Sequence, residues 1–160
     1  YGQSMLVEEY IKGREFTVGI LGNGKDMRVF EPMEICYKHE ERENRIYSYN
    51  VKKNYKKYVE YSCPPNLDDK LSKSMKNIAA LIYSALDCRD FSRIDFRLSE
   101  DGIIYFIEIN PLPGLAPGYS DFPMLAEFCG MDYQTLVISV LNSALKRYGL
   151  NEVVMNRGGL

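Results

Sequence analysis

Asp90-Phe91-Ser92-Arg93-Ile94-Asp95-Phe96-Arg97-Leu98, followed by Ser99-Glu100-Asp101-Gly102 and then Ile103-Ile104-Tyr105-Phe106-Ile107-Glu108-Ile109-Asn110, is the stretch that decides the fold. Two apolar-rich runs flank Asp-Gly, which suits a two-residue hairpin because both central positions of a type I′ turn need positive φ. With Asp101-Gly102 as the turn, residue 100 faces 103, and the pairing carried outward sets Asp95 opposite Glu108 and Arg93 opposite Asn110. Period-two alternation places those four polar side chains on one face. Ile94, Phe96, Leu98, Tyr105, Ile107 and Ile109 form the other, a core surface. A slip of one residue would bury the charges and expose the apolar set, so the register is strongly specified.

Directly opposed side chains have Cβ atoms roughly 5 Å apart, and like charges so placed repel. Asp95 and Glu108 therefore call for a cation. A hard divalent ion such as Mg²⁺ takes oxygen ligands and is usually held by one or two carboxylates, with water and substrate phosphate completing its shell. Asp95, Glu108 and the Asn110 amide oxygen are a donor set of that kind. The competing reading is a solvated face on which Arg93 and Arg97 neutralise the pair.

Outward from this hairpin, Phe16 to Gly22 and Lys25 to Glu31 flank Asn23-Gly24, a second two-residue hairpin cue with Val18 and Ile20 facing Val29 and Met27. Leu6 to Ile11 reads as a short strand that turns at Gly13. Residues 47–61, rich in tyrosine and lysine, read as a loop with strand fragments. From Asp68 to Leu86 the residues Leu71, Met75, Ile78, Ala79, Ile82 and Leu86 recur at three- and four-residue spacing, the stripe of an amphipathic helix. A second stripe runs from Leu136 to Tyr148, opened by an Asp132 cap and closed by Lys146, Arg147 and Gly149. Pro111 to Pro123 is too rich in Pro and Gly for regular structure. Hairpins plus packed helices give an α+β fold with an antiparallel sheet. Residues 1–150 are expected to form one domain and 151–160 a tail.

Composition narrows the function. The 160 residues are 46% hydrophobic and 26% charged, ordinary for a globular domain, with a formal charge of −2. That balance disfavours a chain whose main work is neutralising nucleic-acid or lipid phosphates. Cys36, Cys63, Cys88 and Cys129 are scattered without a C-x-x-C pair, and His39 is the single histidine, so zinc spacing is absent. Buried, reduced cysteines of a cytoplasmic protein are the expectation. No run of apolar residues approaches a transmembrane length.

Glu108-Ile109-Asn110-Pro111-Leu112-Pro113-Gly114, with Arg93-Ile94-Asp95 before it and Val7-Glu8-Glu9-Tyr10-Ile11-Lys12-Gly13-Arg14-Glu15-Phe16-Thr17-Val18 far upstream, resembles the D-alanine:D-alanine ligases, an ATP-grasp family. The likeness runs in order from about Leu6 to Gly149 and implies the C-terminal portion of such an enzyme. It implies ATP as cosubstrate and two Mg²⁺, replaceable by Mn²⁺, with Asp95, Glu108 and Asn110 as ligands. It gives Glu8, the Glu9 carbonyl and the Ile11 amide to the adenine, Glu15 to the ribose, and Lys52 to the terminal phosphate. Arg93 and the Gly114 amide become oxyanion donors. Ser120, in Tyr119-Ser120-Asp121-Phe122-Pro123, becomes the candidate for the acceptor carboxylate, although this string has one residue more than the family's pattern and puts Asp121 beside an expected anion.

The chemistry so implied is phosphoryl transfer from ATP to a carboxylate, then attack of an amine on the acyl phosphate, as in peptidoglycan precursor synthesis. Amino-acid or dipeptide substrates follow, with a homodimer expected for the full-length enzyme. The N-terminal and central domains such enzymes need are not found in these residues, so the piece alone is expected to be inactive. Competing readings are another ATP-grasp ligase joining different amino acids or peptides, a non-catalytic nucleotide- or metal-binding module, and single-strand nucleic-acid binding through the Tyr/Lys-rich loop. The last is disfavoured by overall acidity and by the lack of a recognisable nucleic-acid motif.

Overall fold

In the computed structural model, which describes residues 2–38 and 59–154, strand β1 (Gly13–Leu21) is the spine of one antiparallel sheet. It is followed by β2 (Arg28–Val29), β3 (Met33–Tyr37), β4 (Val59–Ser62), β5 (Phe91–Ser99) and β6 (Ile104–Asn110). The order across the sheet is β4-β3-β1-β5-β6, with β2 pairing a free length of β1. Three helices pack on it among the described residues: α1 (Asp69–Ala85), α2 (Asp121–Phe128) and α3 (Tyr133–Arg147).

Alternation along β1 and β5 sends Phe16, Val18, Ile20, Ile94, Phe96 and Leu98 to one face, all buried. There they meet Met75, Ala79 and Tyr83 of α1, the helix expected from the 68–86 stripe. Its start is set by Asp68, whose side chain accepts the amides of Lys70 and Leu71 at 2.8 and 3.3 Å. Each large apolar side chain buried here contributes roughly 1.5–3 kcal/mol.

The opposite face is divided. At one end α2 and α3 cover Leu21, Phe30, Met33 and Phe91 with Phe122, Leu125 and Leu136. Gly19 makes this approach feasible, because a Cβ there would lie 2.9 Å from the Phe30 ring and 3.1 Å from that of Phe122. Asp132 caps α3 as expected, accepting the Thr135 amide at 2.8 Å. The rest of this face carries the polar residues of β1, β5 and β6.

Four local expectations are corrected. Residues 6–11 form no strand and have no sheet partner; Arg97 binds the end of the segment, at the Tyr10 hydroxyl and the Ile11 carbonyl. Asn23-Gly24 is no type I′ turn. Ile20 pairs with Val29, a short 3-10 turn fills Gly24–Asp26, and Asn23 keeps an extended backbone at φ −126°. Its amide is committed elsewhere, donating to the Asp90 carboxylate and accepting the Asp90 N–H. Pro123 lies inside α2, in a first turn where its missing N–H has no acceptor to lose.

The fourth concerns the hairpin itself. Ser99 and Ile103 are hydrogen-bonded, so the connection is the three residues Glu100, Asp101 and Gly102, with Gly102 at φ +83°. Leu98 then faces Ile104 and Phe96 faces Phe106, one residue off the expected pairing. A bulge at Ile107 restores the count, and Asp95 still faces Glu108 and Arg93 still faces Asn110. In consequence Tyr105 shares the face of Arg97, Ile107 is exposed, and Ile104 joins Ile109, which was expected there, in the core contacts of β6.

Lys52, His39 and the Tyr/Lys-rich stretch up to residue 58 lie outside the described residues. At the far end Val153 exchanges two hydrogen bonds with the Asn142 side chain of α3. No helix among the described residues is long and apolar enough to cross a membrane.

Candidate functional site

Asp95 is central to the polar face. Its Oδ1 accepts the Thr17 hydroxyl at 2.7 Å and Arg93 Nε at 3.0 Å, and its Oδ2 accepts Arg93 Nη2 at 2.8 Å. Thr17 is its Cα partner on β1 and is fully buried, so the donor is fixed by the sheet itself. Arg93 also reaches Asp121 at 3.2 Å and Glu108 at 3.8 Å. One guanidinium thus faces three carboxylates. Burial alone would lower the Arg93 pKa, but Asp95, Asp121 and Glu108 outweigh it and the net direction is up, so this cation stays protonated.

The three acids differ in access. The Asp121 side chain is 11% exposed and Asp95 18%, whereas Glu108 is 63% exposed. Asp121 also accepts the Tyr61 hydroxyl at 2.9 Å, which ties the start of α2 to β4. Its charge, unexplained in the sequence, is thereby directed at Arg93 and Tyr61.

One rung along β5, Arg97 pairs with Glu15 of β1 at 2.9 Å, and Glu15 also accepts the Tyr37 hydroxyl at 2.9 Å. Burial pushes the Glu15 carboxyl up; Arg97 and Tyr37 pull the other way, and Asp95 and Asp121 add to the rise. Arg97 also lies under the Tyr10 ring, 5.1 Å from its centroid. Glu8 and Glu9 are exposed in the segment just before, and Ile11 is half-buried.

Beyond β6 the chain turns sharply. Asn110 Oδ1 accepts the Leu112 amide at 3.1 Å, and Ser120 Oγ accepts the Ala116 amide at 3.2 Å. Gly114 abuts this serine, since a Cβ on it would lie 2.6 Å from Ser120 Oγ. Of the residues singled out in the sequence, the structure brings Arg93, Asp95, Glu108 and Asn110 onto one face and sets Gly114 against Ser120. Glu15 stands on the neighbouring rung, while Glu8, Glu9 and Ile11 lie in the segment held by Arg97. Thr17, Tyr61, Arg97 and Asp121 were not read from the sequence as working parts. Thr17 and Tyr61 reach the site only through strand pairings that span tens of residues, which no local pattern signals.

A divalent cation fits this donor set by lone-pair count. Asp95 Oδ1 already accepts two hydrogen bonds, but Oδ2 and Asn110 Oδ1 accept one each, and the Glu108 carboxylate is exposed. Among the described residues no group of three or more His, Cys, Asp or Glu side chains could hold a metal. Asp95, Glu108 and the Asn110 amide offer oxygen alone, the kind of ligand a hard ion prefers.

This sheet and its helices match solved ATP-grasp ligases. The D-alanine–D-alanine ligase of Bacillus anthracis complexed with ATP superposes with a TM-score of 0.68 at 25% identity, covering 89% of this chain and 41% of that one. The VanG D-Ala:D-Ser ligase of Enterococcus faecalis gives 0.65 at 25%, covering 83% and 36%. In sequence, the D-alanine–D-alanine ligase of Geobacillus thermodenitrificans is 32% identical over 155 residues, 96% of this chain and 40% of that protein. The architecture is thus the C-terminal portion of an ATP-grasp fold. Residues 1–142 match the family model described as D-ala D-ala ligase C-terminus, and the chain belongs to that family. It spans less than half the length of the curated relatives it matches.

Proposed function

We propose that this chain is the nucleotide- and metal-binding part of an ATP-dependent carboxylate–amine ligase of the D-alanine:D-alanine type, working in the cytoplasm on peptidoglycan precursors. The observation that carries the reading is Asp95 facing Glu108, with Asn110 on the adjoining rung of the same face. Those three residues would hold Mg²⁺, two ions by family resemblance with Mn²⁺ as substitute. When bound, the metal supplies positive charge against the nucleotide phosphates as charge spreads over the transferred phosphoryl group.

The chain's own residues have separate tasks in this reading. Thr17 and Arg93 hold Asp95 in one orientation, so its remaining lone pair needs no reorganisation on binding. Arg93, kept protonated by its carboxylates, donates to oxyanion charge together with the Gly114 amide, and Ser120 receives the acceptor carboxylate. Glu8, the Glu9 carbonyl and the Ile11 amide take the adenine, Glu15 the ribose, and Lys52 the terminal phosphate. Arg97 fixes residues 10 and 11 against Glu15, so base and sugar contacts move as one unit.

Asp121 beside Ser120, and the likeness to a D-Ala:D-Ser ligase, favour a second reading in which the acceptor is another amino acid. The test is ADP release by the full-length enzyme with D-alanine and a panel of other amino acids, with and without Mg²⁺. Mg²⁺-dependent, amino-acid-dependent ADP formation that is lost in Asp95→Asn is expected. Unchanged turnover in that variant would overturn the metal reading, and a preferred acceptor other than D-alanine would select the second. These 160 residues alone, which span under half the length of their curated relatives, are expected to give no turnover.

A further inference from the structure

The chain holds a second chemical feature, whose cavity is lined by none of Arg93, Asp95, Glu108 or Asn110 and which is independent of the ligase reading. Cys63, just after β4, and Cys129, at the end of α2, both border the same hydrophobic cluster and line one open cavity of about 240 Å³ together with Arg28, Phe30, Glu31 and Phe128. Both thiols converge on the backbone of Glu31. Cys63 Sγ lies 3.9 Å from the Glu31 carbonyl oxygen, and the Glu31 N–H faces the Cys129 sulfur. Two cysteines from segments so distant in sequence on the wall of one cavity are not required by packing, which any small apolar pair would satisfy.

We propose that Cys63 and Cys129 are a redox-active dithiol that reacts with hydroperoxides, Cys129 attacking and Cys63 resolving. The Cys129 thiolate attacks one oxygen of the hydroperoxide; the O–O bond breaks, and the departing oxygen takes a proton and leaves as water or an alcohol. Cys129 is then a sulfenic acid. The Cys63 sulfur attacks it, an S–S bond forms, the S–O bond breaks, and water departs with the Cys63 proton. Two thiols lose two electrons and the peroxide gains them.

The assignment of roles starts from the Cys63 thiol, which donates to the Glu31 carbonyl and so keeps its proton, leaving Cys129 to attack. The Cys63 thiol, the Glu31 N–H and Arg28 hold the Cys129 pKa below the ordinary thiol range, against burial, while Cys63 is pushed up as the partner that keeps its proton. Cys36 and Cys88 are both pushed up, chiefly by burial. They should stay inert.

The experiment uses the reduced full-length protein, treated with a few equivalents of hydrogen peroxide, alkylated with iodoacetamide, digested and mapped by mass spectrometry. A peptide pair joined through Cys63 and Cys129 should form at least about tenfold faster than any linkage that includes Cys36 or Cys88, and dithiothreitol should release it. In Cys63→Ser, dimedone should label Cys129. No such linked pair, or one formed no faster than linkages through Cys36 or Cys88, would overturn the proposal, and this wild-type measurement stands whether or not the variants fold. Dimedone labelling Cys63 in Cys129→Ser, with none on Cys129 in Cys63→Ser, would overturn the roles.

Discussion

Arg93 and Arg97 rise from the same face of β5, four residues apart, and each binds carboxylates, yet their surroundings differ in charge. Arg97 meets the carboxylate of Glu15, a carbonyl and an aromatic ring, with side chains only 10% and 16% exposed across the ion pair. That group is electrically balanced and packed. Arg93 meets three carboxylates, one of them open to solvent. A single guanidinium cannot neutralise three acids, and the like charges that remain raise the cost of leaving the site without a cation. Two ion pairs on one strand thus part company, one balanced and packed about Glu15 and the other holding excess negative charge ready for a cation.

Substitutions should separate the two. The largest effect is expected from Arg97→Ala, which leaves Glu15 buried without its partner and should cost about 3 kcal/mol in urea unfolding. A variant of unchanged stability would mean that the Arg97 group is not the structural one. Asp95→Asn should lower turnover of the full-length enzyme at least about 100-fold, or about 2.7 kcal/mol, with a much smaller change in the unfolding midpoint. If instead it unfolds the protein and spares the activity of what remains folded, the contrast fails. Thr17→Val keeps the shape but removes the hydrogen bond to Asp95; about 1.5 kcal/mol of stability should go, and the midpoint shift by calorimetry measures it.

The smallest effect is a pH dependence. The folded state holds the Glu15 proton more tightly than the unfolded chain does, because burial raises its pKa above the ordinary 4.5. Its contribution to stability is therefore complete below 4.5 and declines as pH rises through the folded-state value. Glu15→Gln should remove that decline from a series of urea midpoints, and a decline that persists would assign it to another group.

The 90–110 hairpin shows how far a local pattern reaches. The pairing of Asp95 with Glu108 was legible, but the expected two-residue turn is a three-residue loop, and the bulge at Ile107 compensates for it. The alternating core of β5 demanded that Asp95 and Glu108 share the polar face, and the chain met that demand by a different local route. Asn23-Gly24 failed for a related reason: the Asn23 amide was worth more as a partner for Asp90, 67 residues away, than as a turn residue.

Sequence by itself determined the α+β class, the two long helices with the Asp132 cap of the second, and the carboxylate face of β5 and β6, because period, capping and cross-strand alternation act over a few residues. Tertiary structure decided what those carboxylates touch. Thr17 reaches Asp95 only because β1 lies beside β5, Tyr61 reaches Asp121 because β4 closes the far edge, and Cys63 shares a cavity wall with Cys129 because α2 packs on the end of the sheet. Contacts between such distant residues arise from packing of the whole sheet and its helices, which no short window of residues encodes.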